Sequence, residues 1–176
     1  DSIFAEVKHR VAAATVGGNT AERGGGITNG GEMSIAASRI IGNTARVSTA
    51  GIGNEPTGTL TIVGSEVTGN DAGTGGGGGI ANYAQGGDVG VVRIAKTLVS
   101  GNHAQSSAGL GNAGDMTITA SQIVSNTAEQ QAGMYNGPTG VLRLADSTVS
   151  HNSASGGIAG LHNDGGRAWI GNSTIS

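Results

Sequence analysis

The chain has 176 residues, a formal net charge of −3 and no cysteine, which excludes disulfides and thiolate metal sites and leaves no basic run for nucleic acid or an anionic membrane. Glycine contributes 35 residues, against 2% aromatic and 12% charged, so a thick conventional core is excluded and a narrow one of small and β-branched side chains is expected. No apolar stretch approaches the roughly 18 residues of a transmembrane helix, so no membrane insertion is expected, and the length fits one domain over 1–176.

In chain order, the first residues are Asp1-Ser2-Ile3-Phe4-Ala5, then His9, Val11 and Val16, then Asn19-Thr20-Ala21. Next comes Gly26-Ile27-Thr28-Asn29, followed by an alternating segment whose inward positions are Met33, Ile35 and, after Ser38, Ile40. This order then recurs. Asn-x-Ala returns at Asn43, Asn70, Asn102, Asn126 and Asn152, in steps of 24, 27, 32, 24 and 26 residues. Gly-(Ile/Leu/Met)-x-Asn returns with Asn54, Asn82, Asn112, Asn136 and Asn163. The alternating segment returns as Leu60/Ile62/Val67, Val92/Ile94/Val99, Met116/Ile118/Ile123 and Leu142/Leu144/Val149.

Period-two alternation in short segments means strands, and a fixed repeat of this length means a solenoid. The expected fold is all-β: a right-handed parallel β-helix of about seven coils of 24–32 residues, with little or no helix. Equivalent residues then stack about 4.8 Å apart. Asn19, Asn43, Asn70, Asn102, Asn126 and Asn152 become one internal amide ladder, and Asn29, Asn54, Asn82, Asn112, Asn136 and Asn163 a second. Asparagine tolerates left-handed φ, so the ladders are expected at corners, with the adjacent glycines supplying more positive φ. The variable steps place insertions at turns, largest over 71–79 and 83–90.

Carried by Gly69-Asn70, Gly79-Ile80-Ala81-Asn82, Leu60-Thr61-Ile62 and their copies, the pattern resembles the repeats of bacterial surface and secreted right-handed β-helix proteins. Polymorphic outer-membrane-type repeats and pectate-lyase-like solenoids are the families it is similar to. The resemblance covers nearly the whole chain and implies an extracellular or cell-surface location. It says little about activity, because one fold hosts many functions.

The resemblance also implies polysaccharide lyases and hydrolases, so catalytic groups need testing. Glycoside hydrolysis uses two carboxylates facing one bond, but Asp71, Asp88, Asp115, Asp146 and Asp164 fall mostly in turns and Glu66 stands alone. Arg93 and Arg143 share an outward strand position with no acidic cluster facing them. His9, His103, His151 and His162 occupy different repeat positions and do not stack into a metal site. No catalytic residue, metal or cofactor is expected. The outward rows are broken by charge at Arg39, Glu66, Arg93 and Arg143, so they lack the flat uncharged array that ice binding needs.

The leading expectation concerns the ends. The C-terminal residues Trp169, Ile170 and Ile175 repeat the alternating segment, and residues 1–5 stand in for the Gly-(Ile/Leu/Met)-x-Asn motif. Copies placed head to tail would continue the sheets, the heterologous arrangement that gives an open filament. Ile3, Phe4, Trp169, Ile170 and Ile175 are the expected junction, the chain itself being the partner. Asp1, Glu6, Lys8, His9 and Arg10 make the first coil charged, which fits either a cap or an interface. The second expectation is a surface adhesin or glycan-binding module, for which Tyr83 and Tyr135 are the candidate sugar-stacking rings.

Overall fold

A computed structural model describes residues 9–176. Among them the chain is an all-β parallel solenoid with no helix. Three sheets run along it. The first holds seven strands, from His9–Ala12 and Glu32–Ala36 to Arg167–Gly171. The second holds seven short strands, from Thr15–Gly17 to Thr174–Ile175. The third holds six, from Ile27–Asn29 to Leu161–Asn163. Each strand pairs in parallel with its equivalent one coil away, so Ile35, Ile62, Ile94, Ile118 and Leu144 lie in one register row.

The solenoid has about 6 turns, against the seven expected. A turn closes only where all three sheets contribute, and among the described residues the third sheet has one strand fewer. The stand-in for its missing strand, residues 1–5 with Ile3 and Phe4, lies outside the described residues.

Alternation decides which side chains enter the core. In Thr59–Val63, Leu60 and Ile62 are fully buried while their neighbours face outward. Ile40, Val67, Val99, Ile123 and Val149 enter from the second sheet, and Ile52, Ile80, Leu110 and Met134 from the third. Burying each such side chain stabilises the fold by about 2 kcal/mol. Stacked rows make this gain additive along the axis. A second, thinner stack of Ala45, Ala72, Ala104 and Ala128 with Ala50, Ala108 and Ala132 fills the corner between the second and third sheets.

Both asparagine ladders form. Asn70 is fully saturated: its amide donates to Asn102 Oδ1 at 2.9 Å and the Ile40 carbonyl at 3.0 Å, while its Oδ1 accepts from Asn43 N and Nδ2, both at 3.0 Å. Those four bonds are the whole capacity of a carboxamide. The second ladder runs Asn29, Asn54, Asn82, Asn112, Asn136, Asn163 with Nδ2–Oδ1 distances of 2.7–2.9 Å.

The φ pattern differs from expectation. No ladder asparagine has positive φ; the residue before each first-ladder asparagine does, at Gly18, Gly42, Gly69, Gly101, Ser125 and His151. The carboxamide points inward only because the preceding residue makes the bend. The glycines of the Gly-(Ile/Leu/Met)-x-Asn motif are not left-handed either. A Cβ on Gly79 would collide with the Gly109 carbonyl one coil away, so that glycine serves close approach of backbones.

A third ladder was not foreseen. Ser38, Ser65, Thr97, Ser121, Ser147 and Ser173 stack at the corner between the first and second sheets. Each hydroxyl accepts the backbone N–H of the preceding coil's equivalent residue, at 3.1–3.4 Å. Each also donates to the carbonyl two residues earlier, at 2.7–3.0 Å. Just before it the chain bends through positive φ at Ala37, Gly64, Lys96, Ala120 and Asp146.

Candidate binding groove

The third sheet is the face walled by loops, because both large insertions flank it. On one side the insertion after Tyr83 forms a small antiparallel hairpin, Ala84–Gln85 with Asp88–Val89, turned by Gly86 and Gly87 at φ 63° and 98°. On the other, residues 73–77 bend through positive φ at Gly73 and Gly77. The outward row of this sheet is Thr28, Gly53, Ala81, Gly111, Tyr135 and His162, in register coil by coil. Three successive positions without a large side chain make a trough between the loops.

Tyr83 and Tyr135 line the same cavity, about 280 Å³, with Ala81 and Gly111 between them and Ser48 and Ser107 at its edge. None of its lining residues is charged. Tyr83 is anchored by a hydrogen bond between its hydroxyl and Thr49 Oγ1. Tyr135 donates to Asp164 Oδ2 at 3.0 Å, and its ring lies 5.5 Å from that of His162. Partial burial, and then the Asp164 carboxylate, raise the Tyr135 hydroxyl above its ordinary value of 10.0.

Beyond Tyr83 the trough opens into a second space of about 510 Å³, again lined by Ser48 and Tyr83, and by Arg23, Glu55 and Gln85. Neither Arg23 nor Glu55 takes part in an ion pair among the described residues.

The remaining sequence candidates lie elsewhere. Asp71 accepts from His103 at 2.9 Å on the face beside the alanine stack, and this bond holds its carboxyl below 3.8. Arg39 pairs with Glu66, Arg46 with Glu22 and Arg143 with Asp115, at 2.9–3.0 Å. Among the described residues no group of three or more His, Asp or Glu side chains is placed to hold a metal ion. Among the described residues no helix is long and apolar enough to cross a membrane.

Of the expected junction residues, Ile3 and Phe4 lie outside the described residues. Ile170 and Ile175 are exposed at the end of the core stack, in register with Leu144 and Val149. Trp169 is in register with Arg143 on the outer face, where the Arg143 guanidinium sits 5.2 Å from the ring centroid. Its contact is therefore lateral, along the side of the solenoid.

Sequence reasoning singled out the two tyrosines but missed Ser48, Thr49 and Ser107; Thr49 and Ser107 stand two residues before the motif glycines Gly51 and Gly109, in a slot that Gly77 and Gln131 fill in other coils, so no constant residue type marks it. No family model, curated protein or solved structure matches the chain.

Proposed function

We propose that the chain is a rigid, non-catalytic binding module that works outside the cell or at its surface and holds a saccharide between Tyr83 and Tyr135. One observation carries this reading: two tyrosines two coils apart line an uncharged cavity over a floor of Ala81 and Gly111. A pyranose ring has an apolar C–H face that packs on an aromatic ring and hydroxyls that bond to polar neighbours, which Ser48 and Ser107 supply. Of the residues lining the two spaces, Glu55 is the single carboxylate, whereas glycosidic hydrolysis ordinarily uses two. The extracellular placement rests on the repeat's resemblance to bacterial surface solenoids.

Glycan-array screening followed by calorimetric titration tests it. Binding of at least one saccharide is expected, with Tyr83→Ala and Tyr135→Ala each weakening it ten-fold or more at unchanged circular dichroism. Retention of full affinity by both variants would remove the groove from consideration.

Head-to-tail stacking is a second reading, favoured by the exposure of Ile170 and Ile175 at the end of the core. A further coil, from this chain or another copy, would cover them. Negative-stain microscopy of the purified protein decides it. Fibres one solenoid wide with an axial repeat of roughly 30 Å, six turns at the sheet spacing, support stacking; discrete particles at high concentration reject it.

A further inference from the structure

We infer that the ligand of this groove is an uncharged, linear polysaccharide lying along the solenoid axis and occupying both compartments. The inference rests on the saccharide reading of the Tyr83–Tyr135 cavity and adds the length, direction and charge of what it holds.

Direction comes from the floor. Thr28, Gly53, Ala81, Gly111 and Tyr135 succeed one another by one coil each. Four such steps span about 19 Å at the sheet spacing, far longer than one sugar ring. The loops stand on either side of this row, so a ligand longer than one unit has room along the axis and is blocked across it.

Continuity comes from shared walls. Ser48 and Tyr83 line both spaces, so Tyr83 marks the boundary between two compartments of one trough. Gly53 lies on the floor at that boundary. Its φ is not positive, and a Cβ there would meet nothing closer than 3.7 Å, at Thr49, with Tyr83 at 3.8 Å. The fold therefore has room for a larger residue at position 53. Glycine inside a strand weakens it, and an unforced one fits a site of close approach to a ligand.

Charge comes from the second compartment. Arg23 and Glu55 line it without pairing with each other or with any other described residue. A polyanion would meet Glu55 and a polycation Arg23. A neutral chain satisfies both, with a hydroxyl accepting from the guanidinium and another donating to the carboxylate, each a charge-assisted hydrogen bond.

Isothermal titration of the intact chain tests this with neutral gluco-, xylo-, manno- and chito-oligosaccharides of one to six units, and with oligogalacturonates of the same lengths. Affinity is expected to rise ten-fold or more from monosaccharide to tetrasaccharide in at least one neutral series. It is expected to change less than two-fold between low and 0.5 M salt. The double variant Arg23→Gln/Glu55→Gln is expected to lose the gain with length while still binding the shortest sugars. Equal affinity for one unit and four would overturn the axial inference and leave the saccharide reading standing, and tighter binding of oligogalacturonates would overturn the neutral one. No binding of any saccharide overturns both.

Discussion

The hydroxyl of Tyr83 shares a hydrogen bond with Oγ1 of Thr49, 34 residues earlier in the chain. That bond ties the ring to the wall of the neighbouring coil and sets it over Gly53. The tyrosine enters the groove already oriented, so the rotational freedom lost on ligand binding is small. Thr49→Val is expected to leave the fold intact and to weaken saccharide binding about three-fold to ten-fold, read by titration beside Tyr83→Phe, which removes the same bond from the other side.

Asn102 is 1% exposed and bonds to Asn126 Oδ1, to the Val67 carbonyl, and through its own Oδ1 to Asn70. Asn102→Ala strands several buried partners at once, and each buried unsatisfied group costs about 1–3 kcal/mol. A loss of about 3 kcal/mol or more is expected in denaturant unfolding. Asn102→Asp is expected to be worse at neutral pH, since a buried carboxylate cannot donate to either neighbour.

Ser121→Ala tests the hydroxyl ladder separately. It leaves the Thr97 N–H and the Thr119 carbonyl without the Ser121 hydroxyl. A destabilisation of about 1–2 kcal/mol is expected, smaller than that of Asn102→Ala. Equal stability to wild type would show that this ladder accompanies the bend without supporting it.

Gly69 has φ 62° and open space where a Cβ would stand, so Gly69→Ala isolates conformational cost from crowding. Left-handed φ costs an L residue roughly 1–2 kcal/mol, partly offset by lower unfolded-state entropy. A net loss of about 0.5–1 kcal/mol is expected from thermal unfolding.

Two groups give the stability a pH signature. The hydrogen bond from His103, opposed by slight burial, leaves the Asp71 carboxyl below 3.8. A depressed folded-state value stabilises above the unfolded one and is lost as pH falls through the folded one. The Asp71→Asn variant should therefore match wild type most closely in strong acid and fall short of it above about pH 4. The difference should be well under 1 kcal/mol, because both partners are half exposed. Tyr135 is shifted the other way, so its contribution is present below pH 10.0 and lost as pH rises beyond it. Asp164→Asn is expected to move its ultraviolet-detected titration back toward 10.0, incompletely, because burial is the larger cause.

The inward rows were legible because alternation repeats in every coil: Met33, Leu60, Val92, Met116 and Leu142 pair in the register their motif positions predict. The asparagine ladders were legible for the same reason. Ser38 and its equivalents were not, because serine is common in such a chain and their bonds are made to a residue one coil away. The groove was half legible. Tyr83 and Tyr135 are the two tyrosines of the chain, but Tyr83 is held in place by the hairpin, an insertion outside the repeat, and by Thr49, whose repeat position carries no constant residue type.

The step between first-ladder asparagines varies from 24 to 32 residues, yet their amides stay 2.8–3.0 Å apart. Register is thus counted by amides, and surplus chain is expelled sideways into the rim, as between Tyr83 and Gly90. The rim can gain, lose or exchange residues while the spine keeps its count. One scaffold of this kind can diversify what it recognises without renegotiating how it folds.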